Sequence, residues 1–285
     1  MESPSQRIFE TGLVSVGRFR CRPSHPHFHD TGPTRGHLLV FPRETVTITH
    51  AGKRPIVADP SCVMLYNRGQ EYRREAVTPA GDRAEWFAVP GDLVHECVRA
   101  HAPRAAGNPE RPFGDLAWAP GSARGYALAR ALYKHVLASR PDPLLVEEVI
   151  LDVLDETVAA ACGVRPARRA QHVDLADAAR RLLAARLEEP LSLRELARAL
   201  SVSPFHLARV FRATVGRSLH AWRTQVRLRV ALERVLDGAD LMTVALDAGF
   251  SSHSHFTQAF HAAFGAAPSK VRSLPAAALS KILTA

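Results

Sequence analysis

The pattern of hydrophobic and polar positions divides the chain into a β-like part and a helical part. Up to about Val98, short apolar runs rich in branched residues are separated by Gly, Pro and Asp. Residues 45–49 alternate Thr with Val or Ile, and this period of two is typical of a half-buried strand. Many short strands at this spacing predict a small antiparallel barrel or sandwich between Leu13 and about Val98.

Helical periodicity begins at Gly125. Residues 99–118 contain three prolines and are expected to form a loop or an irregular crossover. Beyond them the pattern predicts one helix that ends before Pro141 and a second over residues 144–162. The apolar faces of these two helices can cover the β-rich segment or pair with a second subunit.

The chain is expected to fold as two domains of the α+β class. Residues 1–162 form the β-rich domain with its following helices, and residues 163–172 form a basic linker. Residues 173–274 form an all-α domain, in which Asp174 is expected to cap the first helix, and residues 275–285 are a tail.

Two segments of the all-α domain repeat one another, with one residue inserted in the turn. Each segment has a short helix with a small residue, a turn of Ser and Gly, and a second helix. Ser203 and Ser252 are expected to cap these second helices. The pattern therefore predicts two helix-turn-helix units. The matched pairs are Ala197 with Ala245, Phe211 with Phe260, and Gly216 with Gly265.

A long helix is predicted between the two units, from Ser218 to about Leu236. At 1.5 Å per residue it would span about 28 Å. Successive major grooves on one face of a duplex lie about 34–36 Å apart. One chain could therefore present two recognition helices to neighbouring grooves.

The distribution of charge supports a polyanionic partner. Residues 1–164 carry 19 Lys and Arg against 19 Asp and Glu, whereas residues 165–285 carry 18 against 9, so the net charge of +9 lies in the last part of the chain. By charge, nucleic acid is the leading partner, an anionic membrane surface is the second, and a solvated basic surface is the alternative interpretation. With the two helix-turn-helix units, the expected nucleic acid is double-stranded DNA. No uninterrupted apolar run reaches the roughly 18 residues of a membrane span, so no membrane partner is expected.

On these residues, the stretch 172–274 resembles the C-terminal DNA-binding domain of the AraC/XylS transcriptional regulators. The sequence ALDAGFSSHSHFTQAF at 245–260 is close to the signature of that family, and GAAPSKVR at 265–272 completes it. The β-rich segment resembles the cupin-like sensor domain that many members carry upstream. The resemblance implies an N-terminal cupin-like antiparallel β-barrel and a C-terminal domain with two helix-turn-helix units.

The resemblance also implies which side chains contact DNA. Arg can pair with guanine edges and Gln with adenine edges, so the polar faces of the second helices suit major-groove readout. Phe205 has an alternative interpretation as a packed aromatic, and Lys270 and Arg272 as solvated surface charges. The first recognition helix would offer Phe205, Ala208 and Arg209, with His206 and Arg212 on the same polar face. The second would offer His253, Ser254, Thr257 and Gln258. Phosphate contacts are expected, by position and charge, from Ser218, Arg217, Lys270 and Arg272.

Cys21, His25, His27 and His29 crowd one short segment and offer soft or borderline metal ligands. A metal- or thiol-responsive regulator is therefore an alternative interpretation. However, no Glu follows at the spacing of metal-binding cupins and Pro26 interrupts a simple strand, so no metal or other cofactor is expected.

An enzyme is also not expected. The chain contains no nucleotide-binding glycine loop, no HExxH and no GxSxG. A cupin-type enzyme fused to a DNA-binding domain therefore rests on analogy alone.

These observations predict a cytoplasmic regulator of transcription controlled by a small-molecule effector. The first residues lack the order of a secretion signal, and the four scattered cysteines are expected to stay reduced. The family resemblance implies an activator that works with RNA polymerase, and a homodimer formed through the helices at 126–160.

Overall fold

The computed structural model describes residues 3–103, 108–138, 141–163, 170–189, 191–250 and 252–273. These residues form two compact units, one up to residue 163 and the other from residue 170 to 273. The side chains of Ala170, Phe205 and Ser273 lie outside this description, as do residues 164–169 of the predicted linker and the predicted tail at 275–285.

The first unit consists of short strands followed by helices. Its strands are β1 (Ser5–Glu10), β2 (Ser15–Cys21), β3 (His37–Pro42), β4 (Val46–His50), β5 (Ile56–Ala58), β6 (Cys62–Tyr66), β7 (Tyr72–Ala76), β8 (Asp82–Val89) and β9 (Trp118–Pro120). Its helices are α1 (Gly91–His101), α2 (Ala123–Ala138) and α3 (Pro143–Gly163).

The strands form two antiparallel sheets, in the orders β1-β2-β8-β3-β6-β9 and β5-β4-β7. Val46 and Ile48 of the small sheet share a buried apolar cluster with Met64 and Tyr66 of the large sheet. The predicted antiparallel strand region is confirmed. The described strands do not close into one barrel, because β4 is flanked on both sides by β5 and β7, which complete a separate sheet.

The region between the strands and the long helices differs from the prediction. The β-like texture was expected to reach Val98, but residues 91–101 form helix α1, which buries only Val94 and Val98. Two buried apolar residues leave a weak helical pattern. The end of the segment predicted as a loop forms β9, which pairs with β6. The two predicted amphipathic helices are present as α2 and α3.

A buried group of charges joins helix α2 to the large sheet. Glu85 of β8 is 2% exposed, and its Oε1 lies 2.8 Å from Nη1 of Arg130, which is 1% exposed. Arg43 approaches the same Oε1 at 3.3 Å. Removing one partner from such a buried pair leaves an uncompensated charge, so these residues fix α2 against the sheet.

The second unit is entirely helical where it is described. Its helices are α4 (Ala170–Ala185), α5 (Leu193–Ala199), α6 (Pro204–Val215), α7 (Leu219–Leu236), α8 (Leu241–Asp247), α9 (His253–Phe264) and α10 (Pro268–Ser273). Asp174 does not cap α4, because this helix begins four residues earlier, and residues 170–172 of the predicted linker are helical. None of the helices in the described ranges is long and apolar enough to cross a membrane.

Helix α7 lies between two apolar clusters and contacts both. Trp222 is 1% exposed, and its ring lies 6.3 Å from that of Phe211 in the cluster formed with α4, α5 and α6. On the other side, Phe256, Phe260 and Phe264 of α9 are buried, with successive ring centroids 5.4 and 4.6 Å apart. The second unit therefore has one core on each side of α7.

The guanidinium of Arg227 links these two sides. From α7, Nε donates to the carbonyl of Leu187, just after α4, at 2.8 Å, and Nη1 donates to the carbonyl of Gly249 at 2.9 Å. Gly249 lies between α8 and α9 with φ of +73°, a left-handed conformation that favours glycine. Burial lowers the pKa of Arg227. The turn after α4 and the turn between α8 and α9 are therefore both hydrogen-bonded to the same side chain.

Replacing Gly249 with Ala tests this link. The new Cβ would lie 2.6 Å from Nη2 of Arg227, so the guanidinium must move away from both carbonyls. Gly249→Ala should lower the free energy of unfolding by about 1–2 kcal/mol for the left-handed backbone and by at least about 1 kcal/mol more for the lost hydrogen bonds. Urea unfolding followed by circular dichroism measures the loss.

Gly238→Ala is the matched control. Gly238 has φ of +82°, but nothing lies within 4 Å of an added Cβ. This variant should show only the backbone cost. Equal losses in the two variants would show that Arg227 does not hold the turn.

Candidate functional sites

The first helix pair consists of α5, α6 and the turn between them. Ser192 caps α5 in a capping box with Glu195. In the turn, the backbone amide of Val202 donates to the carbonyl of Ala197 at 3.0 Å, and Ser201 has φ of 54°. Ser203 then caps α6, because its Oγ accepts from the amide of His206 at 3.1 Å.

The second helix pair, α8 and α9, repeats this geometry. The amide of Phe250 donates to the carbonyl of Ala245 at 3.0 Å, and the left-handed residue is Gly249, in the place of Ser201. Ser252 caps α9 by accepting from the amide of His255 at 3.1 Å. Both expected serine caps are therefore confirmed, and the repeat extends to individual hydrogen bonds.

Helix α6 buries one face and presents a basic face to solvent. Leu207, Val210 and Phe211 are buried. Arg209 and Arg212 are exposed, and within the described part of the chain neither guanidinium has a hydrogen-bond or ion-pair partner.

The other predicted residues of α6 are less exposed than these arginines. Ala208 is half-buried, and so is His206, whose ring lies 6.1 Å from that of His172 on α4. Phe205 lies in the first turn of α6, but its side chain is outside the described residues.

Helix α9 presents a neutral polar face. Phe256 and Phe260 are fully buried, while Ser254 and Gln258 are exposed. His253 and Thr257 are half-buried, as is Ala259. The Oγ1 of Thr257 is buried and has no hydrogen-bond partner among the described residues, so this hydroxyl is not directed at solvent.

The residues expected to contact phosphate lie at helix ends. Ser218 is exposed and caps α7, its Oγ accepting from the amide of Ala221 at 3.2 Å. The adjacent Arg217 is half-buried, and Lys270 and Arg272 are exposed in α10. The positive end of the dipole of α7 thus lies at Ser218, where a phosphate would be favoured.

The first unit contains a cavity of about 600 Å³. Its wall combines aromatic and aliphatic side chains with polar and charged ones, Arg7 and Glu10 among them. The lining includes Phe19, Thr31, Arg35, Leu38, Val40, Tyr66, Tyr72, Asp82, Trp86 and Ala88. This volume falls in the range of small-molecule sites.

Arg74 supports one polar end of the cavity from behind. It is 1% exposed and its Nη2 donates to the hydroxyl of Tyr72 at 2.6 Å and to that of Thr31 at 3.2 Å. Its Nε lies 3.1 Å from Asp82, whose pKa is raised by burial although Arg74 acts to lower it. The ring of Phe19 lies under the guanidinium at 4.2 Å. Arg74 therefore fixes three polar groups of the wall in place.

A buried histidine packs behind the two tyrosines of the wall. His50 lies with its ring 5.0 Å from that of Tyr66 and 6.5 Å from that of Tyr72. Its Nδ1 pairs with Gln70 at 2.7 Å. Burial and the charge of Lys53 lower the pKa of His50 to about 4, so the ring is neutral at pH 7.

The histidines and cysteine near residue 25 do not form a ligand set. Cys21 is buried, His27 and His29 are exposed, and the Nδ1 of His29 pairs with the carbonyl of Arg74 at 3.0 Å. Among the described residues, a different group converges: Cys97, His101 and Asp155. Burial and the neighbouring Asp155 raise the pKa of Cys97 to about 12.

Comparisons with known proteins agree with this geometry. Residues 196–273, which run from α5 to α10, match the family model described as a helix-turn-helix domain. The matched segment therefore forms a domain of this class. Among similar proteins is the bifunctional transcriptional activator/DNA repair enzyme Ada of Escherichia coli, 36% identical over 107 residues, or 34% of this chain and 30% of that protein. The virulence regulon transcriptional activator VirF of Yersinia enterocolitica is 37% identical over 76 residues, or 26% of each chain.

Solved structures give weaker overall similarity. A transcriptional regulator with an AraC-type DNA-binding domain from Chromobacterium violaceum is 27% identical with a TM-score of 0.35, over 37% of this chain and 95% of that one. Apo ToxT from Vibrio cholerae is 12% identical with a TM-score of 0.37, over 93% and 99%.

On the sequence matches, the resemblance of the C-terminal helical domain to the AraC-type DNA-binding domain is confirmed. The resemblance of the β-rich segment to a cupin-like sensor stays a prediction. The chain spans less than a third of the length of the curated relatives named here.

Because His50 is buried in its neutral form, the free energy of unfolding is expected to decrease as the pH falls. In the unfolded chain this histidine takes up a proton near pH 6.5, whereas in the folded protein it does so only near pH 4. The unfolded state therefore binds more protons between these values, and stability falls as the pH falls. Between pH 7 and pH 5 the loss should be about 2 kcal/mol.

Urea unfolding followed by tryptophan fluorescence at both pH values measures this loss. His50→Gln should remove most of the pH dependence over this range. His27→Gln, at an exposed position, should retain it. If the two variants lose the same amount of stability on acidification, His50 is not the responsible group.

Proposed function

We propose that the protein is a sequence-specific DNA-binding regulator of transcription, that it acts as an activator, and that a small molecule controls it. The observation that carries the proposal is the duplicated helix pair, which shares the same turn hydrogen bond and the same serine cap. In this proposal both pairs are helix-turn-helix units, and α6 and α9 are their recognition helices.

The length of α7 fits a bipartite DNA site. This helix has 18 residues, about 27 Å at 1.5 Å each, and it contacts both helix pairs. The value is of the same order as the roughly 34–36 Å between successive major grooves on one face. The two recognition helices then read two half-sites within one operator, without a second subunit.

The two recognition helices read bases by different chemistry. Arg209 is exposed on α6 and has no ion-pair partner among the described residues, and Arg side chains pair bidentately with guanine. Gln258 and Ser254 are exposed on α9, and Gln suits adenine. Arg212 and His253 flank these positions. The buried hydroxyl of Thr257 makes it a weaker candidate for a hydrogen bond to a base.

Phosphate contacts supply most of the affinity. Residues 165–285 hold the entire net charge of +9, and Lys270 and Arg272 are exposed. The capped end of α7 at Ser218, beside Arg217, adds a site for a backbone phosphate. Binding should therefore weaken steeply with salt.

The cavity of the first unit is the proposed effector site. Aromatic rings form its walls, and the hydroxyls of Tyr72 and Thr31 with the carboxyl of Asp82 form a fixed polar end. The indole of Trp86 adds apolar surface to this wall. A cyclic or aromatic molecule with polar substituents at one end fits this arrangement. The first unit corresponds in this proposal to a cupin-like sensor.

The remaining partners follow from this role. A regulator of transcription acts in the cytoplasm, and as an activator it contacts RNA polymerase. The protein forms a homodimer through α2 and α3 in this proposal, and Leu137 and Leu144 are exposed large apolar side chains there. The alignment with Ada covers 30% of that protein, and we assign no catalytic activity to this chain.

Arg209→Ala tests base readout. Selection of binding sites from random DNA first defines the operator. On that operator the variant should lose about 1–3 kcal/mol of binding free energy, about 5- to 150-fold in Kd, and base preference at one position should relax. Fluorescence anisotropy with operator and scrambled duplexes measures both.

Arg194→Ala is the matched control, because Arg194 is also exposed but lies on α5. It removes the same charge and should weaken all sequences alike, by less than Arg209→Ala does on the operator. A uniform loss from Arg209→Ala would assign that side chain to phosphate.

Ala88→Phe tests the effector site. Ala88 lines the cavity, so an added ring fills space that a ligand would need. Compounds that raise the Tm of the native protein in a screen of sugars, aromatic acids and amines should lose that effect with this variant. Ala100→Phe, at an exposed position of α1, should keep it. Retained Tm shifts in Ala88→Phe would place the effector elsewhere.

A further inference from the structure

A group of metal-ligating side chains lies between α1 and α3 of the first unit, and none of its members lines the cavity. The Nε2 of His101 lies 2.7 Å from Oδ1 of Asp155, and the Sγ of Cys97 lies 3.9 Å from the same oxygen. All three ligand atoms lie within 4.8 Å of one another. Neither the proposed DNA contacts nor the proposed effector site uses these residues.

The backbone positions of the three residues are fixed by packing. Cys97 and His101 are four residues apart on α1 and so share one face. Val94 and Val98 beside them are buried, and on α3 Leu154 and Val158 on either side of Asp155 are buried as well. The two helices contact one another. The ligands therefore project from two rigid helices rather than from loops.

The distances are close to those of a tetrahedral zinc site. With bonds of about 2.3 Å to sulfur and about 2.0–2.1 Å to nitrogen and oxygen, ligand atoms lie about 3.3–3.5 Å apart. The sulfur–oxygen distance of 3.9 Å must shorten slightly, and the nitrogen–oxygen distance of 2.7 Å must lengthen. Side-chain rotation supplies these changes, because the side chains of His101 and Asp155 are 28% and 65% exposed.

We propose that Cys97, His101 and Asp155 bind a divalent transition-metal ion of the zinc class, with a fourth position open to water. A thiolate, an imidazole and a carboxylate are the donors that Zn²⁺ accepts in proteins, and three protein ligands with one open position are typical of sites that exchange ligands. The ion takes the place of the hydrogen bond between His101 and Asp155, and the thiol proton of Cys97 is released to solvent. Bound metal then fastens α1 to the last turns of α3.

The proposal replaces the ligand set first suggested by the sequence. The histidines at 25–29 lie in a loop and do not converge, whereas Cys97 and His101 converge on Asp155 from 54–58 residues away. Cys162, seven residues after Asp155 on α3, is not part of the converging group. These two features supply internal controls.

Titration of the full-length, untagged protein with Co²⁺ tests the proposal. One equivalent should bind and give a thiolate-to-cobalt charge-transfer absorption band, and Zn²⁺ should displace it. Cys97→Ser should remove the band, while His101→Asn and Asp155→Asn should each raise the Kd at least tenfold. Circular dichroism confirms that the variants are folded.

Two controls distinguish this group from the other candidates. The double variant His25→Asn/His27→Asn and the single variant Cys162→Ser should keep both the band and the stoichiometry. Zn²⁺ should also protect Cys97, but not Cys162, from alkylation detected by peptide mass spectrometry. The proposal is overturned by a titration without the charge-transfer band, by a band that persists in Cys97→Ser, or by a band that is lost in either control.

Discussion

The second unit depends on one guanidinium that reaches in two directions. Apolar contacts with α7 hold the two helix pairs against this helix, but such contacts are not directional. Hydrogen bonds are directional, so they define the orientation of each helix pair about α7 more strictly. Arg227 donates to the carbonyl of Leu187 on one side and of Gly249 on the other. Arg223, one turn earlier, adds bonds to the carbonyls of Glu189 and Leu191. The two helix pairs are therefore related through the backbone and not only through side-chain contact.

The first unit uses buried charge for a comparable purpose. Glu85 with Arg130 fixes a helix on the large sheet, and Arg74 with Asp82 links the small sheet to the large one. Both arginines are 1% exposed. Such pairs add little net stability, but losing one partner costs several kcal/mol, so they specify one arrangement of the sheets and helices. The pair of Arg74 with Asp82 also holds the polar groups at one end of the cavity in place.

Local signals in the sequence predicted much of the second unit and less of the first. The serines at 203 and 252, the small residues at 197 and 245 and the length of α7 all follow from capping and periodicity. Helix α1 was not predicted, because only two of its side chains are buried and apolar. The convergence of Cys97 and His101 on Asp155 could not be found without that helix.

Contacts between residues that are distant in the sequence do not show in its hydrophobic periodicity. The bonds of Arg227 span 40 and 22 residues, and nothing near it in the sequence marks it as the partner of two distant carbonyls. The same holds for Glu85, which reads as the polar position of an alternating strand but faces Arg130. Strand spacing predicted a barrel or a sandwich, and the family resemblance implied the barrel. Spacing does not specify which strands leave an edge open.

The two equivalent turns differ in the substitutions that they can accept. Residue 201 and residue 249 have the same left-handed backbone, yet the first is Ser and the second is Gly. At 249 the guanidinium occupies the space where a side chain would begin, whereas the hydroxymethyl of Ser201 is exposed. Position 201 can therefore accept a side chain, whereas position 249 is confined to glycine. Two helix pairs with the same backbone geometry can in this way accumulate substitutions at unequal rates.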